Sequence, residues 1–117
     1  MAINTKPFVL LTVDAVHRLP GHMGVFELAS SGGEILFIGF AGGRSMFGLR
    51  GEVLAGLPAT EATRFRVEVT TAYLTRYQEL LMLHVARFGD LPVENDPALM
   101  SLLGRLSPTM ISELTSK

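Results

Sequence analysis

The alternation of apolar and polar residues divides the chain into strands and helices. Four segments have the β-branched and aromatic residues, or the strict alternation, that are typical of strands. Residues 30–33 (Ser-Ser-Gly-Gly) suit a tight turn between the segments Met23–Ala29 and Glu34–Phe40. These two segments therefore predict a hairpin in the middle of the sheet. In the segment Phe65–Val69 apolar residues alternate with charged ones, which suits an edge strand with one face exposed to solvent. The four segments are Phe8–Val13, Met23–Ala29, Glu34–Phe40 and Phe65–Val69.

Three helices are predicted from the remaining segments. Ser45 can cap a helix over about Met46–Leu57, which ends at a proline. A long helix over about Ala72–Phe88 ends at Gly89, a residue that suits a helix C-terminus. Asp96-Pro97 begins a shorter helix. The apolar residues of that helix are Leu99, Met100, Leu103 and Leu106, and Ser107-Pro108 can start a last turn after it. Near the start of the chain, Asp14–Pro20 is expected to be a connection.

These elements predict an α+β fold with a small antiparallel sheet of three to four strands flanked by helices. The 117 residues have the usual length of one domain, so we expect residues 1–117 to form a single domain. The hydrophobic share of 48% suits a chain that buries a core. The absence of linkers and repeats favours the same interpretation.

Composition excludes some classes of chemistry. The chain has no cysteine, which rules out disulfides, thiolate nucleophiles and cysteine-ligated zinc, and suits a reducing cytoplasm. No apolar run is long enough to cross a membrane, and a cytoplasmic location is expected. The net charge of −1 and the lack of a basic run do not indicate strong non-specific binding of nucleic acid.

Two charged residues occupy apolar helix faces. Arg50 lies in the middle of the apolar stripe of its predicted helix, and Glu79 lies among apolar residues of the long helix. A guanidinium keeps its charge when buried, so Arg50 needs a carboxylate, carbonyl groups or an anionic ligand, unless its side chain reaches out to water. Glu79 is either paired, with Arg50 or with Arg76 one turn earlier, or active in chemistry.

Other candidate groups are weaker on their own. The loop Gly39–Arg44 precedes a helix and can present backbone N–H groups to an anion, but it lacks a full phosphate-binding motif, and a plain turn is the preferred interpretation. His17, His22 and His84 have no metal-ligand spacing, and His22 lies close enough to the hairpin to face a cleft there. Tyr77 is a boundary or core residue by its pattern.

Taken in order, these features resemble the GIY-YIG nuclease domain. The two signature motifs of that family correspond to Gly24-Val25-Phe26 and Phe37-Ile38-Gly39. The resemblance covers about residues 23–95, with a strand before this core and a helix after it. It implies that Arg50 contacts phosphate, that Glu79 holds a divalent metal such as Mg²⁺ or Mn²⁺, and that Asn95 closes the motif. Arg44 competes with Arg50, because the loop before the helix is longer here.

The chain departs from the family pattern at both signature tyrosines, and this departure determines which function we expect. Both signature tyrosines, whose hydroxyls help to position the attacking water in that family, are phenylalanine here (Phe26 and Phe37). The resemblance therefore implies a divergent domain that binds an anionic ligand or partner, nucleic acid included, in the former nuclease cleft without ordinary nuclease activity. The alternatives are a metal-dependent nuclease in which Tyr77 or His22 replaces the hydroxyls, and a small-molecule enzyme. In either case Phe26, Phe37, Gly39, Arg44 and Asn95 are expected to contact the ligand.

Overall fold

A four-stranded antiparallel sheet with helices on both faces forms the described part of the chain, residues 2–103 of a computed structural model. The predicted α+β fold is therefore confirmed. In chain order the strands are β1 (Val9–Leu10), β2 (Gly24–Ala29), β3 (Ile35–Ala41) and β4 (Arg64–Val69), and the helices are α1 (Val13–His17), α2 (Gly48–Gly56), α3 (Tyr73–Phe88) and α4 (Leu99–Leu103). Short 3-10 turns cover Ile3–Thr5 and Leu57–Ala59.

The β2–β3 hairpin forms as predicted, and its register assigns the two faces of the sheet. Phe26 pairs with Gly39 and Val25 pairs with Phe40. Because side chains alternate between faces, Phe26 and Val25 point in opposite directions. Phe26 packs with Leu49 of α2, whereas Val25 packs in a second cluster formed by α3. We call these two sides the α2 face and the α3 face.

The strand order corrects the predicted positions in the sheet. The order is β1-β4-β2-β3, so β2 is internal and β3 is an edge strand. The predicted edge strand β4 lies between β1 and β2, but β1 is only two residues long and covers only Arg64 and Phe65. The hydrophobic pattern of β3 did not reveal its edge position, because both of its faces are covered by helices.

The first predicted strand and the following connection were wrong in part. Only Val9–Leu10 pairs with β4. Within the predicted connection Asp14–Pro20, a helical turn forms that begins at Val13. The hydroxyl of Thr12 accepts a hydrogen bond from the backbone N–H of Ala15 at 3.1 Å, which caps this helix and ends the extended segment.

Helix α2 begins two residues later than predicted, and Ser45 does not cap it. The hydroxyl of Ser45 accepts from the N–H of Gly42 at 3.0 Å and so closes the preceding loop. Phe47 occupies the cap position in the left-handed conformation, with φ of 64°, which is unfavourable for a residue with a Cβ. Helix α3 and its left-handed Gly89 cap agree closely with the prediction. Leu106 and Ser107-Pro108 lie outside the described residues.

Candidate functional site

Two phenylalanine rings form the floor of a cleft on the α2 face. The rings of Phe26 and Phe37 are 5.9 Å apart at an angle of 39°. Gly39 lies beside both, and a Cβ at this position would overlap the Phe26 ring and approach the Phe37 ring to 2.7 Å. The absence of a side chain at Gly39 therefore allows the two rings to close over the strand.

A cavity of about 700 Å³ opens above this floor, a volume typical of small-molecule sites. It extends around the outer edge of β3, because Phe40 and Tyr77 from the α3 side also line it. The Phe40 ring packs against Tyr77 at 4.8 Å and stacks on Tyr73 at 5.8 Å. We call this cavity the aromatic cleft; its lining is Phe26, Leu28, Phe37, Gly39, Phe40, Arg44, Ser45, Met46, Glu52, Ala55, Gly56, Ala59, Thr60, Tyr77 and Glu94.

The polar groups of the aromatic cleft differ in how fully they are paired. Glu94 accepts hydrogen bonds from the hydroxyl of Thr60 at 2.6 Å and from the backbone N–H of Glu61 at 2.9 Å. Arg44 is exposed and forms no ion pair within residues 2–103. Glu52, the other carboxylate of the lining, forms no ion pair within residues 2–103. Among the described lining residues Arg44 supplies the cationic side chain, and its guanidinium is available to an anion.

The glycine-rich loop before α2 uses its N–H groups to close on itself. The N–H of Gly42 donates to the hydroxyl of Ser45, and the N–H of Ser45 donates back to the carbonyl of Gly42 at 3.1 Å. The N–H of Gly43 points at the Tyr73 hydroxyl, 3.4 Å away. These two glycine N–H groups therefore have partners within the protein, which supports the interpretation of this loop as a turn.

Asn95 lies behind the cleft and contacts the edge of the sheet. Its side-chain carbonyl accepts from the N–H of Ile38, and its amide donates to the carbonyl of Ile38, both at 2.9 Å. The residue is 5% exposed and does not line the aromatic cleft. The geometry gives Asn95 a structural task, and its predicted contact with a ligand stays a prediction.

Arg50 and Glu79, the two residues expected to meet at one site, are not brought together. Arg50 is on α2 and Glu79 on α3, which pack on opposite faces of the sheet. Within residues 2–103, neither residue lines the aromatic cleft. The guanidinium of Arg50 lies near Gly21 and 6.0 Å from the ring of Phe47. It therefore lies beside the start of α2, and the expectation that Arg50 meets Glu79 at one site is corrected.

The carboxylate of Glu79 is paired with Arg76, as one of the sequence alternatives predicted. Arg76 also forms an ion pair with Glu68 of β4 at 3.0 Å, and Glu68 accepts from the backbone N–H of Ile3 at 2.8 Å. These contacts tie α3 to β4 and to the start of the chain. Within residues 2–103 no group of three or more His, Asp or Glu side chains is placed to hold a metal ion.

The remaining predicted catalytic residues occupy different environments. His22 is exposed and does not line the aromatic cleft, and its backbone carbonyl accepts a hydrogen bond from the N–H of Leu49 at 2.9 Å. Tyr77 lines the aromatic cleft, and burial raises the pKa of its hydroxyl. At neutral pH that hydroxyl therefore keeps its proton and can donate a hydrogen bond to a ligand.

The structure thus brings together five of the residues predicted for the site: Phe26, Phe37, Gly39, Arg44 and Tyr77. Sequence reasoning missed Phe40, Thr60 and Glu94, which complete the edge of the cleft. The alternation of the hairpin placed Phe40 on the opposite face from Phe37, and nothing in the pattern shows that the cavity continues around the strand. Thr60 and Glu94 are loop residues, whose meeting depends on the tertiary fold.

Comparison with known families matches residues 1–87 to the family described as "Domain of unknown function (DUF7508)". The chain belongs to this family. No curated protein and no solved structure matches the chain significantly. The DUF7508 match includes the cleft residues from Phe26 to Tyr77 and ends before Glu94 and Asn95. None of the helices in residues 2–103 has the length and apolar character needed to span a membrane.

Proposed function

We propose that the aromatic cleft binds a ligand that carries an apolar, ring-sized part and an anionic group, and that it does so without hydrolysis. One observation carries the proposal. A cavity of about 700 Å³ with an aromatic floor has Arg44 at its rim without a carboxylate partner in residues 2–103. The rings of Phe26 and Phe37 supply apolar contact area, and Arg44 supplies recognition of the anion.

The proposal agrees with a divergent GIY-YIG-like domain whose cleft has lost its nuclease chemistry. Phe26 and Phe37 stand where the resemblance implies tyrosines, and they offer no hydroxyl to activate water. Arg44 takes the role of anion contact that the resemblance gives to Arg50. The lack of cysteine supports the further proposal that the protein acts in the cytoplasm.

The two enzymatic alternatives have less support. The metal-dependent nuclease that the resemblance implies needs an arginine and a metal-bound glutamate at the same phosphate, whereas Arg50 and Glu79 are on helices that pack on opposite faces of the sheet. A small-molecule enzyme needs a general base in the cleft. Tyr77 is unsuited to that task near neutral pH, because burial raises its pKa, and Glu94 is engaged by Thr60 and Glu61. Glu52 is then the carboxylate of the lining that would have to act as the base, and binding without hydrolysis is the simpler proposal.

Binding of phenyl phosphate, measured by isothermal titration calorimetry, tests the proposed function. This probe joins one ring to a phosphate, and methyl phosphate is the matched probe without the ring. We expect phenyl phosphate to bind more tightly than methyl phosphate. Arg44→Ala should weaken the binding of phenyl phosphate at least about tenfold, since a hydrogen bond to a charged group contributes about 1.5–3 kcal/mol. Arg18→Ala, which removes an exposed arginine outside the cleft, serves as the control.

Two results would overturn the proposal. Equal affinity for the two phosphates would show that no aromatic surface is used. Equal losses in Arg44→Ala and Arg18→Ala would show that the anion is attracted by general charge, not at the cleft. Cleavage of DNA or RNA that requires Mg²⁺ or Mn²⁺ and is lost in Glu79→Ala would favour the nuclease alternative instead.

A further inference from the structure

The outer edge of β3 is covered over only part of its length. In an antiparallel pair the backbone groups of successive residues point alternately toward the partner strand and away from it. In β3 residues 37, 39 and 41 direct their N–H and C=O groups toward β2. Residues 36, 38 and 40 direct theirs away from the sheet. The carbonyl of Leu36 accepts from the N–H of Glu94 at 2.8 Å. Both groups of Ile38 bond to the side chain of Asn95. The segment that contains Glu94 and Asn95 therefore covers the edge up to Ile38.

Phe40 is the next residue whose backbone groups point outward. Its N–H and C=O have no hydrogen-bond partner among residues 2–103. Two residues further on, Gly42 is already engaged by Ser45. The open stretch is thus a single residue long, bounded by Asn95 on one side and by the loop turn on the other. Gly39 and Phe40 both line the aromatic cleft, so these open groups border it.

Asn95 shows what kind of group fits this edge. Its carboxamide places one acceptor and one donor against the N–H and C=O of the same residue, Ile38. One residue of an antiparallel strand offers the same two groups. In a hydrogen-bonded antiparallel pair, the N–H and the C=O of one residue bond to the C=O and the N–H of a single partner residue. A parallel strand would need partners over a longer stretch than Phe40 offers. The edge therefore suits one residue of an antiparallel segment.

We propose that the ligand of the aromatic cleft is an extended peptide segment, one residue of which pairs antiparallel with Phe40. This inference rests on the proposed function and names its ligand class. The side chains on either side of the paired residue then point to the α2 face. The residue after it lies opposite Gly39, over the rings of Phe26 and Phe37, and suits an apolar side chain. The residue before it lies opposite Ala41, toward Arg44, and suits an acidic one.

The peptide must leave the edge after this short footprint, because Asn95 occupies the next outward position at Ile38. The recognised pattern is therefore acidic, any residue, apolar, read from the N-terminal to the C-terminal side. Strand addition of this kind takes affinity from main-chain hydrogen bonds and specificity from the pockets for alternate side chains. The rings of Phe26 and Phe37 already fill the space beside Gly39, so the apolar side chain would pack on the outer surface of these rings.

A pair of peptides tests the inference without altering the protein. Acetyl-Glu-Ala-Leu-amide carries the proposed pattern, and its variant with an N-methylated alanine keeps every side chain but loses the N–H that donates to the Phe40 carbonyl. We expect the N-methylated peptide to bind at least about tenfold more weakly in a calorimetric or NMR titration. We also expect the amide proton of Phe40 to shift and to exchange more slowly with bound peptide, while that of Ile38 stays protected throughout.

The outcomes separate this inference from the proposed function. Equal affinity of the two peptides, unchanged exchange at the Phe40 amide, or no peptide binding at millimolar concentration overturns the inference. If phenyl phosphate still binds and depends on Arg44, the cleft function stands and only its peptide ligand is wrong. If phenyl phosphate also fails to bind, the proposed function fails with it.

Discussion

Replacement of Asn95 by alanine tests whether this residue holds the sheet edge or contacts a ligand. The side chain makes two hydrogen bonds of 2.9 Å to the backbone of Ile38, a residue that is 1% exposed. Each buried backbone group left without a partner costs about 1–3 kcal/mol. Water can enter from the neighbouring cleft and lower this cost, so we expect the free energy of unfolding to fall by about 2–4 kcal/mol.

Urea denaturation followed by circular dichroism measures this loss. A domain stabilised by about 5–15 kcal/mol survives it, so the variant should remain folded without denaturant. Asn4→Ala is the matched control, because Asn4 is exposed and its side chain makes no hydrogen bond within residues 2–103. We expect that change to cost less than about 0.5 kcal/mol.

Asn95→Asp refines the test, because it keeps an acceptor for the N–H of Ile38 but loses the donor to its carbonyl. A carboxylate opposite that carbonyl is repelled at neutral pH, whereas a protonated carboxyl can donate to it. We therefore expect Asn95→Asp to recover stability, relative to the original chain, as the pH falls. A loss in Asn95→Ala no larger than that in Asn4→Ala would refute the structural role. Loss of phenyl phosphate binding at unchanged stability would restore the predicted ligand contact.

Two further predictions concern an ion pair of the sheet and a tyrosine of α3. Arg66→Ala removes the ion-pair partner of the buried Glu27, 2.7 Å away. Because the carboxylate is then left unpaired, the free energy of unfolding measured in urea should fall by about 3 kcal/mol. A fall below about 1 kcal/mol would contradict this expectation. Burial raises the pKa of Tyr77 in the folded state, so its contribution to stability is complete below the unfolded pKa of about 10 and is lost as the pH rises through the folded value. Tyr77→Phe should lose less stability than the original chain between neutral pH and the alkaline range, and equal losses would exclude Tyr77 as the cause.

Local patterns predicted the elements that depend on neighbouring residues. The hairpin follows from two apolar segments around a glycine-rich turn, and the long helix ends at Gly89 because glycine adopts the left-handed cap readily. The start of α2 was mispredicted because Ser45 had two possible partners. Its hydroxyl can cap a helix or close a loop, and only the tertiary position of Gly42 favours the second.

The site was harder to predict, because a helical wheel gives the burial of a residue but not the face of the sheet on which its helix packs. The wheel placed Arg50 and Glu79 among apolar residues of their helices, whereas in the structure Glu79 lies in an ion-pair cluster with Arg76 and Glu68. The separation of Arg50 and Glu79 follows from α2 and α3 packing on opposite faces, which depends on the path of the chain through β4. Glu79 has a nearby partner in Arg76, and that spacing on one helix was visible in the sequence.

The pattern that carried the family resemblance has an explanation in packing alone. Gly39 is needed because a Cβ there would overlap the Phe26 ring and crowd the Phe37 ring. Aromatic rings at both positions then cover the strand and form the floor of the cleft, and this packing needs no hydroxyl groups. The aromatic and glycine positions, and with them the cavity beside Arg44, can therefore arise from packing without descent from a nuclease. The binding experiments test the cavity itself, so their outcome does not depend on whether the resemblance reflects ancestry.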